Sequence, residues 1–341
     1  MKSPLYIYRS GELKRKDNTI RFIAAIDDEN NDSEYPKDRI TDRPIEQCSE
    51  IYAFGNITLN SSIINLLSQY GICIHFFNYY SFYTGSFYPR EHMLAGELLV
   101  KQVKHYSDDE KRLVIAQKFI DAASFNIYRN LRYYNGRGKD LKQYMNDIED
   151  FRKKIYKSQS VSELMGYEGN IRKIYYSAWN VIVNQKIDFE KRVKHPPDNM
   201  INTLISYVNS IIYTKILSEL YITQLNPTIS YLHEPGTRRF SLALDLSEIF
   251  KPIIGDRIIF SLLNKNMITE KSFTKNLNYL HLTEAGNKII TKEINKRLKE
   301  TITHKELGKN VSYQYLMRLE AYKLIKHLIG EKEYDGFKMW W

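Results

Sequence analysis

The feature that most constrains the fold is a change of hydrophobic period near residue 90. Before it, apolar and aromatic residues come in short runs, at 4–9, 19–25, 50–54 and 72–77, with a more polar run at 12–16. Runs of this length rich in Tyr, Ile and Phe, with the turn dipeptide Asp17-Asn18 between two of them, predict a small antiparallel sheet. Ile63, Ile64, Leu66 and Leu67 give residues 61–69 the pattern of a short amphipathic helix, ended by Gly71. After residue 90 the period becomes about 3.6. Helices are expected at 107–133, 140–156, 160–183, 199–221, 241–263, 283–298 and 312–329, with a short strand at 278–282. Ser107 with Glu110 and Ser160 with Glu163 have the spacing of capping boxes. Asn135-Gly136, Gly138 and Pro196-Pro197 mark breaks. The chain therefore reads as α+β: a small β-rich N-terminal domain, 1–90, followed by a larger all-α domain, 91–341.

With 341 residues, 43% of them hydrophobic, the chain can bury one large core or two smaller ones. Its formal charge of +10 favours a polyanionic partner, most simply nucleic acid. That charge is uneven. Residues 1–90 hold 10 Lys+Arg against 11 Asp+Glu, and the remainder holds 40 against 29, so the polyanion is expected on the helical part. Cys48 and Cys73 are the two cysteines, which excludes a disulfide framework and a thiolate metal site and makes a reducing cytoplasm the default. No signal peptide and no membrane-spanning run is apparent.

From Ile51 to Pro89 there is no Asp, Glu, Lys or Arg, and Phe76, Phe77, Tyr79, Tyr80, Phe82, Tyr83, Phe87 and Tyr88 crowd its end. Such a surface fits an interface between subunits. Ordinary core, or stacking on unpaired bases, are the other readings.

The chemistry concentrates further on. Asp245 and Glu248 stand three residues apart in an apolar helical segment, so both face one spot. Two like charges placed together need a cation or proton between them. His233 lies 12 residues before Asp245 in a loop broken by Pro235 and Gly236, and can fold back to the same place. A mixed imidazole and carboxylate set suits Mg²⁺ or Mn²⁺. A solvated helix face and a surface histidine are the plain alternatives. Glu168 is a fourth candidate, between Gly166 and Gly169 inside an expected helix. Two helical glycines fit either close approach of a substrate or a kink with tight packing. Arg172, Lys173, Arg238, Arg239, Lys251 and Arg257 surround these residues in sequence and suit phosphodiester contacts. Tyr175, Tyr176, Tyr207, Asn209 and Tyr213 serve either as polar contacts or as core. No Walker A loop, GxGxxG, GxSxG or CxxC pair occurs.

Five segments carry a family resemblance: GELKRKDNTIRF, NYYSFYTGSFYPRE, LMGYEGNIRKIYY, LNPTISYLHEPGTRRFSLALDLSEIFKP and the ending MRLEAYKLIKHLIGEKEYDGFKMWW. Together they resemble the CRISPR-associated integrase family, the first-numbered Cas protein of spacer acquisition, in wording closest to its type I-B members. The resemblance implies a β-rich N-terminal domain that dimerises and a helical catalytic domain. It places the family's metal-binding Glu on Glu168, its His on His233 and its third ligand on Glu248, where many relatives carry Asp. Asp245 matches a further, supporting acidic position. It also implies a divalent metal, Mg²⁺ or Mn²⁺, and DNA as substrate. A homodimer is implied, two of which flank a dimer of the second-numbered Cas protein. The expected reaction is attack of a DNA 3′-hydroxyl on a phosphodiester. A metal-dependent nuclease for branched DNA and a non-catalytic DNA-binding assembly subunit stand as alternatives.

Overall fold

The computed structural model describes residues 2–25, 40–90, 93–187, 189–193, 197, 199–236, 240–276 and 279–340. The chain divides into two compact units, Met1–His92 and Met93–Trp341.

Among its described residues the first unit holds the strands β1 (Ser3–Ile7), β2 (Gly11–Lys16), β3 (Thr19–Ala24), β4 (Ile40–Pro44), β5 (Cys48–Ala53), β6 (Ile57–Leu59), β7 (Ile74–Phe77) and β8 (Tyr83–Phe87), with one helix, α1 (Ser61–Gln69). They form two four-stranded sheets, ordered β1-β5-β7-β8 and β4-β3-β2-β6. Only part is the antiparallel sheet read from the sequence. β2 pairs with β3 and β3 with β4 antiparallel, whereas β1–β5, β5–β7 and β2–β6 are parallel. Parallel neighbours need a crossover connection, which turn dipeptides do not announce. Where a hairpin does occur, Asp17 takes a positive φ of 53°, a conformation its short side chain tolerates.

Side chains alternate across a strand, and this sorts the first sheet's residues. Ile7, Ile51, Ala53 and Ile74 turn to a core shared with Leu13, Ile20 and, from α1, Ile63, Leu66 and Leu67. The alternate positions stack aromatic rings, with centroids 4.9 Å apart for Tyr6–Tyr52 and 4.5 Å for Phe54–Phe77. Much of the charge-free stretch is thus core of this unit, while Tyr79 is 63% exposed.

The second unit is built on α2 (Gly96–Ser107), α3 (Asp109–Asn135), α4 (Lys142–Arg152), α5 (Val161–Ile182), α6 (Met200–Tyr221), α7 (Ser241–Phe250), α8 (Arg257–Asn264), α9 (Glu284–Lys299) and α10 (Tyr313–Leu328). Two antiparallel ribbons accompany these helices: β9 (Phe273–Asn276) with β10 (Tyr279–Leu282), and β11 (Thr301–His304) with β12 (Lys309–Ser312). The side chains of Ser160, Asn199, Thr283 and Ser312 cap α5, α6, α9 and α10, each accepting a backbone N–H three residues on. Asp108, rather than Ser107, caps α3 through Lys111 N at 3.1 Å, because Ser107 is spent as the last residue of α2. No described helix is long and apolar enough to cross a membrane.

α6 is buried nearly all round, with α7 and α10 packed on it, and α3 packs against α5 and α7 to complete the core of the unit. The helix expected over 241–263 is interrupted by a π-helical segment, Lys251–Asp256, joining α7 to α8. Pro252 has no N–H for the regular helical ladder, and its carbonyl accepts Asn130 Nδ2 of α3 at 2.8 Å. Gly255 lets this segment lie against α6: a Cβ there would fall 2.8 Å from Ile212 Cδ1.

Candidate active site

α5 and α7 each bring one carboxylate into a cleft of about 380 Å³, Glu168 from α5 and Glu248 from α7. Arg172 joins them. One turn beyond Glu168 on the same helix face, it donates Nε to Glu168 Oε1 at 2.9 Å, and a terminal nitrogen pairs with Glu248 Oε2. Lys251 Nζ takes the other Glu248 oxygen at 2.5 Å. Burial would raise the Glu248 pKa. Lys251 and Arg172, with His233, outweigh burial and bring it down to about 2. Glu248 is therefore an ionised, buried carboxylate at neutral pH.

His233 is placed by Asp245, which is fully buried. Asp245 Oδ2 accepts the backbone N–H of Tyr231 at 2.7 Å and of Leu232 at 2.9 Å, and Oδ1 accepts that of His233 at 3.0 Å. The same Oδ1 receives His233 Nδ1 at 2.8 Å. An ionised carboxylate only accepts, so Nδ1 carries the proton and a neutral ring keeps Nε2 as its lone-pair nitrogen. One buried acid thus folds the loop and selects the tautomer. Ser230 Oγ closes the turn by donating to the His233 carbonyl at 2.6 Å.

The two glycines beside Glu168 are resolved by the structure. α5 runs through both, and a Cβ at Gly166 or Gly169 would meet no atom within 4 Å. Neither kink nor tight packing needs them. Gly169 lines the cleft, so its missing side chain leaves the wall beside Glu168 open.

Of the cations proposed from sequence, Lys173 and Lys251 line this cleft, and Arg172 is held by the two carboxylates. Arg257 lines a different cleft. Arg238 and Arg239 lie outside the described residues. Tyr176 and Asn209 line the cleft, whereas the Tyr175 hydroxyl accepts Asn130 Nδ2 in the core and Tyr213 Oη accepts Phe240 N at the start of α7. Tyr207 is buried. Sequence reasoning passed over Glu190, Lys191 and Arg192, which complete the wall. Arg192 fixes them to α6 through Asn202 Oδ1 at 3.1 Å and Ser206 Oγ at 2.8 Å. Their signal was present as a charged run ahead of the Pro196-Pro197 break.

Among the described residues no three His, Cys, Asp or Glu side chains already stand as a metal-ligand group. The donor chemistry nevertheless fits a hard divalent ion. Two carboxylates from separate helices converge on one positive charge, the Arg172 guanidinium. Nearby is an imidazole whose Nδ1 is tied to a carboxylate, the arrangement that orients metal-binding histidines. His233 is not among the cleft-lining residues, though it lies near enough to Glu248 to interact with it electrostatically.

A model of the family described as CRISPR associated protein Cas1 matches residues 5–296. The CRISPR-associated endonuclease Cas1 of Fusobacterium nucleatum is 63% identical over 341 residues, covering 100% of this chain and 98% of its own length. A solved Cas1 protein from Thermotoga maritima has a TM-score of 0.83 at 38% identity, covering 98% of this chain and 100% of that one. A casposase bound to integration product has a TM-score of 0.87 at 23% identity, covering 98% of this chain and 93% of that one, a likeness of fold alone.

Proposed function

We propose the following activity for this chain, which belongs to the Cas1 family of CRISPR-associated proteins: a divalent-metal-dependent DNA endonuclease and strand transferase that inserts DNA fragments into a CRISPR array. The observation that carries it is the convergence of Glu168 and Glu248 on one cation in a cleft that Lys173, Lys191 and Lys251 also line. Glu168, His233 and Glu248 would hold Mg²⁺ or Mn²⁺. Bound there, the ion supplies polarisation of the phosphodiester and stabilises charge on the leaving oxygen.

The chain's own residues do the rest. Asp245 keeps the His233 proton on Nδ1 and its lone pair on Nε2. Until the ion binds, Arg172 compensates the two carboxylates and holds them in register. Lys173 and Lys191, both exposed on the cleft wall, attract the DNA backbone without reading its sequence. In strand transfer the incoming 3′-oxygen bonds to the target phosphorus and the target's own P–O3′ bond breaks. The nucleophile's proton ends on the released 3′-oxygen. One phosphodiester forms for each one broken. Water as nucleophile nicks the DNA instead, and the reverse reaction resolves branched DNA.

The end of the charge-free aromatic stretch, where Tyr79 is exposed, is the proposed homodimer surface. The second-numbered Cas protein is the proposed partner of that dimer, and the cytoplasm the proposed compartment. The test is transfer of a labelled 3′-OH duplex into a supercoiled repeat-containing plasmid, with Mn²⁺, Mg²⁺ or EDTA, with and without the partner. Joined product that needs the metal and is lost in Glu168→Ala and His233→Ala is expected. Full activity in either variant rules out this site, and hydrolysed product alone supports the nuclease reading.

A further inference from the structure

The C-terminal turns of α3, the start of α8 and the last turns of α9 enclose a second cleft, of about 640 Å³, which shares no lining residue with the first. Five of its lining residues are cations: Arg137, Arg257, Lys265, Lys296 and Arg297. Two are acids, Glu293 and Glu300, and Glu300 is taken by Arg297 Nη1 at 2.6 Å. Arg137, Arg257, Lys265 and Lys296 have no carboxylate partner among the described residues. Arg257 instead reaches the Met339 sulfur at 3.4 Å and lies 5.2 Å from the centroid of Tyr133. Arg137 covers the same ring at 4.3 Å, yet Tyr133 remains 42% exposed. Burial, then Arg297, disfavour the charge on Arg257. Like charges gathered in a cleft with few counter-charges call for an anion. The exposed part of the Tyr133 ring, beside two guanidinium groups, adds a stacking surface.

We infer that this cleft is a non-catalytic seat for unpaired DNA, with phosphates held by Arg137, Arg257, Lys265 and Lys296 and a base stacked on Tyr133. Cationic grooves with aromatic platforms hold single strands in this way. Inside a duplex each base is stacked on both faces, so internal base pairs should not use the ring. The π segment links the two clefts, with Lys251 at its start in the first and Arg257 just past its end in the second. The inference deepens the reading of the chain as a DNA strand transferase and rests on it for the identity of the polyanion.

The experiment is fluorescence anisotropy of the full chain with labelled oligothymidylate and with a labelled blunt duplex, in EDTA so that no chemistry intervenes. Lys265→Glu with Lys296→Glu changes two exposed side chains. It should weaken oligothymidylate binding at least about tenfold and reduce the slope of log affinity against log salt by about 1.4, at about 0.7 per phosphate. Tyr133→Ala should cost about tenfold on the single strand, Tyr133→Phe should restore it, and blunt-duplex binding should change little. Unchanged oligothymidylate binding overturns the inference, as does an equal loss on blunt duplex. Glu168→Gln separates the two readings. It should keep oligothymidylate binding while losing strand transfer. Strand transfer surviving in Glu168→Gln sinks the proposed activity without touching the anisotropy result.

Discussion

Asp256 makes the most quantitative prediction. It ends the π segment, is 3% exposed, and its Oδ2 has no hydrogen-bond partner among the described residues. Burial pushes its carboxyl from the usual 3.8 up to about 7, against the pull of Arg172, Tyr175 and Lys251. Between those two values the folded protein holds a proton that the unfolded chain has released. Stability therefore falls as pH rises through this window and is flat, for this group, above about 7. A shift of about 3 units at 1.36 kcal/mol each is about 4 kcal/mol. Asp256→Asn cannot titrate, so its stability relative to the parent should grow by about 4 kcal/mol between about pH 4 and about pH 8. The amide's buried N–H groups add a fixed cost of about 1–3 kcal/mol, which moves the whole curve and cancels from the difference. Glu248 titrates in both proteins and cancels as well. The assay is thermal unfolding of both full chains across this range. At about 2–4 °C per kcal/mol for a unit of this size, the gap in Tm should change by roughly 8–16 °C. Two pH profiles that run parallel would refute the reasoning.

Four further substitutions probe the site. Gly169→Ala should raise helix stability by about 0.5–1 kcal/mol, because nothing stands where its Cβ would go, while strand transfer falls as the cleft wall closes; a lowered Tm would show the glycine to be structural. Arg172→Gln strips the shared cation from two carboxylates and should cost about 3–5 kcal/mol without metal. Mn²⁺ should then raise its Tm more than it raises that of the parent, and equal shifts in the two proteins count against a common site. Asp245→Asn leaves at least one loop N–H facing an amide donor and should cost about 3 kcal/mol, with the His233 ring nitrogens changing tautomer by NMR; an unmoved melt and unchanged ring signals would contradict its positioning role. On the acid side, Glu248 contributes stability above about 4.5 that is lost as pH falls toward 2. Glu248→Gln should flatten that limb in the same melts.

The helical period was legible because α5, α6, α9 and α10 are long, amphipathic or uniformly apolar, and capped by Ser, Thr or Asn. The π segment was not. Its cause, Pro252 with Gly255 pressed on α6, depends on which helix lies opposite. The two-sheet arrangement of the first unit also escaped, since pairing β1 with β5 and β7 is a matter of crossovers. At the site, the i, i+3 spacing of Asp245 and Glu248 suggested two carboxylates facing one spot. The structure gives them opposite surroundings, backbone N–H groups for one and two cations for the other. Which neighbour faces a side chain is settled by chain segments distant in sequence, here α5 and the 231–233 loop. That is also why Arg172, read as a phosphate contact, proves to be the bridge between Glu168 and Glu248.

The central claim is that these two carboxylates and His233 exchange the Arg172 guanidinium for a divalent ion. A crystal of the chain grown with Mn²⁺, measured at the manganese absorption edge, tests this directly. The account predicts one strong anomalous peak among Glu168, His233 and Glu248, with Arg172 moved off its bridge. Arg172 still joining both carboxylates and no peak beside them, in protein that Mn²⁺ makes active in strand transfer, would contradict it.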